Sequence, residues 1–264
     1  MVSIFSLAGR TAVITGGASG IGLACADAFA NEGCDLVLID IDTEELEIAK
    51  ERLTVGNSRS ILTIAGDVSD ENFVQSLPDQ IISSSGQINV LVNNAGISPK
   101  SVPLHEISYA DWSRVLRVNL DSVFLMTRAL IPQMLKAKNP SIINVASISG
   151  MVGLTKDFLF QAAYCASKSA IIGLTRQVAT EYGEYGLRCN AVAPGWHLGT
   201  RLGESSANFA GEQEILRQRV SQRATLGRPG EAHELAGLFL LLASNASTYI
   251  NGSVIIQDGG WTSS

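Results

Sequence analysis

The chain holds 264 residues, 46% of them apolar and only 17% charged, a composition that buries much surface and excludes intrinsic disorder. Nineteen basic and 25 acidic side chains give a net charge of −6 without a Lys/Arg stripe, which argues against nucleic acid as a partner. The longest apolar run, Leu238 to Ala243, is far short of the roughly 20 residues that span a bilayer, the N-terminus carries no export pattern, and Cys25, Cys34, Cys165 and Cys189 form no CxxC pair. The expectation is a cytoplasmic chain with no membrane partner, disulfide framework or metal site.

In chain order, a β-branched run at 10–15 predicts a first strand that enters a glycine-rich turn and a helix over 20–32. A strand at 34–40 and a helix at 42–53 follow, the latter capped by Asp42 with Glu45 three residues on. Strand 60–67, helix 70–84 and strand 88–94 continue the alternation. A long helix is predicted over 108–136, opened by a Ser108, Asp111 capping pattern, and then strand 141–147, helix 161–184 and strand 187–194. Residues 195–230 break the pattern with Gly, Ser and charge around a helical patch, before helix 231–244 and strand 252–258. Strands apolar on both faces and separated by helices specify a parallel sheet covered on both sides. The predicted fold is α/β, one Rossmann-type domain over 1–264: a doubly wound parallel sheet of about seven strands, with 195–230 as an excursion or substrate lid.

The first strand runs into Gly16, Ser19, Gly20, Ile21 and Gly22. Glycines there let the backbone turn tightly and approach a pyrophosphate, which unpaired amides and the helix dipole favour. Asp40 closes the second strand eighteen residues past Gly22, where a carboxylate can accept hydrogen bonds from both hydroxyls of an adenosine ribose. Asp40 would also repel the extra phosphate of NADP, and Ser19, Ile41 and Asp42 bring no basic side chain, so NAD is the expected cofactor. Tyr164 and Lys168 stand four apart and share one helix face. Free tyrosine titrates near about 10, and an ammonium beside it would favour the phenolate that a general base needs.

The TGxxxGxG turn, with Asn93, Asn94, Ala95 and Gly96 after strand four and Tyr164, Cys165, Ala166, Ser167 and Lys168 on the late helix, resembles the short-chain dehydrogenase/reductase family. The resemblance extends over nearly the whole chain, through Asp67 and Val68, Asn119, Ser147, Pro194 and Gly195, to Asp258, Gly259 and Gly260. It implies that Asp67 and Val68 hold adenine, that Asn94, Ala95 and Gly96 back the cofactor, and that Asn119, Ser147, Tyr164 and Lys168 form the catalytic set. Ser147 would hold the substrate oxygen, Asn119 would position a water leading from Lys168 to solvent, and Lys168 would also meet the nicotinamide ribose. A homotetramer is a further implication.

Two departures from the family pattern stand out. Seventeen positions separate Ser147 from Tyr164, a few more than usual, and the surplus falls within 155–160, including Phe158, Leu159 and Phe160. In PGWHLGT, Thr200 sits one place late and His197 takes the position whose backbone would meet the nicotinamide amide. Phe158 and Trp196 suggest an apolar substrate wall, whereas Gln161, His197 and Arg201 could serve a sugar or hydroxy acid. His105 and His197 otherwise read as surface loop groups and Cys165 as a packing residue. The expected activity is NAD-dependent hydride transfer on a small secondary alcohol or ketone. An NADPH-dependent 3-oxoacyl-type reductase and a non-catalytic NAD sensor or scaffold are the competing readings.

Overall fold

The structure, a computed structural model, describes residues 3–55, 59–99, 101–154, 158, 161–200 and 210–263. Seven parallel strands form one sheet in the order β3-β2-β1-β4-β5-β6-β9: β1 is Thr11–Thr15, β2 Asp35–Asp40, β3 Ile61–Ala65, β4 Val90–Asn93, β5 Ser141–Val145, β6 Arg188–Pro194 and β9 Val254–Gln257. All seven lie within the spans read from the sequence, because the buried inner strands announce themselves as short continuous apolar runs and the partly covered edge strands β3 and β9 as short β-branched ones. The helices are α1 Gly20–Asn31, α2 Thr43–Thr54, α3 Glu71–Ser85, α4 Tyr109–Leu116, α5 Ser122–Met134, α6 Ala162–Tyr182, α7 Ala210–Arg223 and α8 Ala236–Ala243.

Alternate residues of each strand feed two cores. Ile14, Leu38, Val92 and Ile143 pack with Phe29 of α1 and Phe239 of α8 on one face. Val13, Val37, Leu91 and Ile142 pack with Leu77 of α3, Met126 of α5 and Val178 of α6 on the other. The strand order reverses where β1 pairs with both β2 and β4, and a crevice opens outside the carboxyl ends of the strands at such a switch. Thr15 and Asn93 stand at its two sides.

The structure corrects the sequence reading at one helix and adds a short ribbon at the excursion. The helix expected over 108–136 is interrupted at Arg117–Asp121 by a π turn, which carries Asn119 inward. The excursion leaves and returns through a two-residue ribbon, β7 His197–Leu198 paired with β8 Gly230–Glu231, with α7 between them. Positions 201–209 lie outside the described residues. Capping behaves as its chemistry predicts: Asp42 accepts from the Glu45 amide at 3.1 Å, and Ser108 from the Asp111 amide at 3.0 Å. Among the described residues no helix is long and apolar enough to cross a membrane.

Candidate active site

The glycine turn is built by mutual contact between two strand ends. Gly16 and Gly20 take φ values of +62° and +54°, the left-handed region that side chains avoid. A Cβ on Gly22 would lie 2.1 Å from the Gly16 carbonyl oxygen, so only glycine lets α1 approach the turn this closely. Asn94 donates its side-chain amide to the Thr15 and Gly16 carbonyls, both at 3.0 Å. Thr15 Oγ1 accepts from the Asn94 and Ala95 backbone amides at 3.0 and 3.1 Å. Ser19 precedes α1 without a side-chain capping bond, so its hydroxyl leaves the first-turn amides to another acceptor.

The cleft along this turn encloses about 500 Å³. Of the residues anticipated for a dinucleotide, Gly16, Ser19, Gly20, Ile21, Asp40 and Asp67 line it, as do Val68, Asn94, Ala95, Gly96 and Thr200. Asp40 is fixed at the end of β2, its carboxylate accepting from the Ala18 amide at 3.2 Å and the Asp42 amide at 3.3 Å. Gly22 is not at the cleft surface, since its role is the helix approach just described. The sequence reading missed Arg114 and Val118, one helical turn apart, which close the cleft from α4 and the π turn. Nothing in their local sequence marks them, because α4 reaches the cleft only through tertiary packing.

A second, smaller cavity of about 110 Å³ adjoins it and is lined by Ser147, Tyr164, Lys168, Pro194, Gly195 and His197, with Ile21, Asn94, Ser98 and Thr200 common to both spaces. Ser147 stands two residues past β5 as the N-cap of the short turn Ile148–Gly150 and accepts from the Ser149 amide at 3.1 Å, which orients its hydroxyl. Tyr164, in the first turn of α6, lines the same cavity as Ser147. One turn on, the buried Lys168 donates Nζ to the Val145 carbonyl at 2.7 Å and lies 5.4 Å from the Tyr164 ring centroid. Asn119 is fully buried, accepting from the Ile97 amide at 2.7 Å and donating to the Ile97 carbonyl at 3.0 Å. A Cβ on Gly96 would meet Asn119 Oδ1 at 3.3 Å and Lys168 Nζ at 3.8 Å, so that glycine leaves room for both side chains.

The electrostatics depart from the sequence expectation. Burial pushes the Tyr164 phenol up to about 12, with the Ser147 hydrogen bond acting in the opposite sense. Burial lowers Lys168 to about 8. The ammonium is directed at a carbonyl of β5, so it does not by itself produce the depressed phenol anticipated from the helix spacing. His197 is also corrected: it is a half-buried wall residue, Nδ1 3.2 Å from the Gly195 carbonyl, and burial lowers its pKa. A Cβ on Gly230 would come within 2.6 Å of the His197 ring, so the residue behind it must be small. His105 stays exposed beside Glu106 at 3.6 Å. Ser98, Ser149, Gln161 and Trp196 line the smaller cavity as well. Gln161 and Trp196 were named from the sequence as candidate substrate contacts, whereas Ser98 and Ser149 were not. Of 155–160 only Phe158 is described, and Lys156, Leu159, Phe160 and Arg201 lie outside the described residues.

A doubly wound sheet with a glycine turn at its switch point and a second cavity beside it defines a Rossmann-type dinucleotide-binding fold with room for a second ligand. The family model described as enoyl-(acyl carrier protein) reductase matches residues 16–262. The 3beta-hydroxysteroid dehydrogenase 2 of Eggerthella lenta is 35% identical over 263 residues, covering 97% of this chain and 96% of that one. The 3-oxoacyl-[acyl-carrier-protein] reductase FabG of Thermotoga maritima is 37% identical over 255 residues, covering 96% and 98%. A crystal structure of a gluconate 5-dehydrogenase candidate from Beutenbergia cavernae, with NADP bound at low occupancy, superposes with a TM-score of 0.88 at 33% identity, covering 99% of this chain and 100% of that one. The chain belongs to the short-chain dehydrogenase/reductase family, and it is an oxidoreductase of alcohol and ketone groups that uses a nicotinamide cofactor.

Proposed function

We propose that the protein is an NAD-dependent oxidoreductase that interconverts a small secondary alcohol and its ketone, with Tyr164 as general acid and base. The observation that carries this reading is the convergence of Ser147, Tyr164 and Lys168 on one cavity that shares Ile21, Asn94, Ser98 and Thr200 with the dinucleotide cleft. The turn around Gly16, Ser19 and Gly20 would hold the pyrophosphate, Asp40 the adenosine ribose, and Asp67 with Val68 the adenine. Asn94, Ala95, Gly96, Pro194, Gly195, His197 and Thr200 would back the nicotinamide half. When bound, the dinucleotide supplies the acceptor or donor of the hydride on the substrate carbon, and in its oxidised form a positive ring that favours phenolate.

Every proton is handled by the chain's own residues. In oxidation Tyr164 takes the hydroxyl proton as the carbonyl forms, and in reduction it returns that proton to the carbonyl oxygen. Ser147 donates to the same oxygen and holds it against the phenol. Lys168 keeps positive charge near Tyr164, and Asn119 ties the π turn to the segment after β4 and would position a water toward solvent.

NAD is favoured over NADP because the Asp40 carboxylate, fixed by two backbone amides, would face the ribose 2′ position. A second reading, an NADPH-dependent 3-oxoacyl-type reductase, draws support from the NADP-bound relative, the FabG relative and the exposed Arg114 at the cleft. The excursion through 196–225 is proposed to act as a lid and the chain to work as a homotetramer in the cytoplasm. The test is a panel of secondary alcohols, polyols, hydroxy acids and 3-oxoacyl thioesters assayed with both nicotinamide dinucleotides. NAD-linked oxidation of a secondary alcohol supports the proposal, and turnover confined to NADPH with 3-oxoacyl thioesters would establish the second reading instead.

A further inference from the structure

This inference rests on the oxidoreductase reading above and names what the smaller cavity takes. Its reacting end is Ser147 and Tyr164, and its remaining walls differ in character. On one side stand Ile148 and Trp196. The Trp196 ring is 6.1 Å from Phe158 and 6.2 Å from Trp261, centroid to centroid, and Phe158 meets Trp261 edge-on at 4.6 Å. The three rings come from distant stretches of chain and pack with Leu154, Leu216 and Val220 as a separate small core. A half-buried indole braced in this way keeps its orientation before a ligand arrives, so its face offers contact area at little cost in side-chain freedom.

Among the described residues the other side presents neutral polar groups, and the one lysine of the lining, Lys168, is turned to the Val145 carbonyl. Gln161 precedes α6 as its N-cap residue and makes no capping bond. Its side-chain amide donates instead to Ser98 Oγ at 3.3 Å, and both residues line the cavity with Tyr164. A primary amide has both donors and an acceptor, so it can receive a hydroxyl or a carbonyl oxygen equally well. Such a group recognises an oxygen that the reaction leaves untouched, whichever redox state it is in.

We infer that the substrate is a compact, uncharged carbocycle that carries a second oxygen besides the reacting one. The ring lies on Trp196, the reacting oxygen meets Ser147 and Tyr164, and the second oxygen meets Gln161 and Ser98. Trp261 and Phe158 are positioning residues that act through Trp196. The cavity of about 110 Å³ also borders Asn94, Pro194, Gly195, His197 and Thr200, assigned above to the nicotinamide half, so the space left to the substrate is compact.

The test compares 1,4-cyclohexanediol, cyclohexanol and the open-chain 2,5-hexanediol as substrates of the NAD-loaded enzyme. The cyclic diol should exceed both others in kcat/KM by about tenfold, the scale of one well-placed hydrogen bond or ring contact. Gln161→Leu should bring the ratio of cyclic diol to cyclohexanol within about threefold. Trp261→Ala should raise KM for the cyclic diol with a smaller change in kcat, the split expected of a residue that only braces the platform. Should either variant fail to fold, calorimetric titration of 1,4-cyclohexanediol and cyclohexanol into the NADH-loaded wild type decides the point, with tighter binding of the diol expected. Equal binding and equal kcat/KM for the three alcohols, with turnover still dependent on Tyr164, would overturn this inference and leave the oxidoreductase reading standing. Absence of turnover with every alcohol and ketone would overturn both.

Discussion

Burial holds Lys168 near 8, well below the range of a solvated lysine. The unfolded chain therefore binds more protons than the folded one between about pH 8 and the ordinary lysine value, and stability gains as pH rises through that window. Lys168→Met removes this dependence, so the melting temperature of the wild type relative to the variant should climb from pH 8 to pH 10. A flat difference would mean that Lys168 is not a buried cation. Tyr164 has the opposite sign: its raised pKa gives stability that is lost as pH climbs from free tyrosine's value toward 12. Asp40 supplies a second prediction at this scale. Asp40→Ala combined with Ile41→Arg should narrow or reverse the preference for NAD over NADP, read as the ratio of kcat/KM values, and an unchanged ratio would remove Asp40 from cofactor choice. Asp40 was legible in the sequence because its place at the end of a strand is a local property. Gln161 and Trp196 were harder to rank, since their importance comes from Ser98, Phe158 and Trp261, which reach them only in the folded chain.

At the scale of elements, the approach of α1 to the first turn depends on one missing side chain. Gly22→Ala would place a methyl group 2.1 Å from the Gly16 carbonyl oxygen, and the helix would have to shift away. The expected cost is about 1–3 kcal/mol of stability, together with a loss of NADH affinity of at least tenfold, measurable by thermal melting and fluorescence titration. Unchanged affinity would show that the cleft tolerates a displaced α1. The strands and most helices were legible because short apolar runs and amphipathic stretches have distinct periods. The π turn at Arg117–Asp121 was not, because a single wider turn has no composition or capping signal of its own. The β7 and β8 pair is two residues long on each side, too short for any periodicity, and its pairing partner is more than thirty positions away.

Across the whole molecule, the sheet order brings the end of β1, the end of β5 and the start of α6 to one rim, so cofactor cleft and substrate cavity open onto each other. The opposite concern is the exposed apolar surface. Ile256 on the edge strand β9, Tyr249 and Tyr185 remain exposed in the single chain. An edge strand flanked by such side chains invites a second copy, and sedimentation at micromolar concentration should return a tetramer. A monomer there would refute the proposed assembly. The central claim, however, concerns one proton. Tyr164→Phe keeps the ring and its packing while removing the phenol oxygen from the cavity that Ser147 also lines, so folding and NADH binding should persist. Single-turnover hydride transfer with the best substrate should fall by two orders of magnitude or more, because a general acid and base contributes on that scale. Near-normal transfer by Tyr164→Phe would contradict the account.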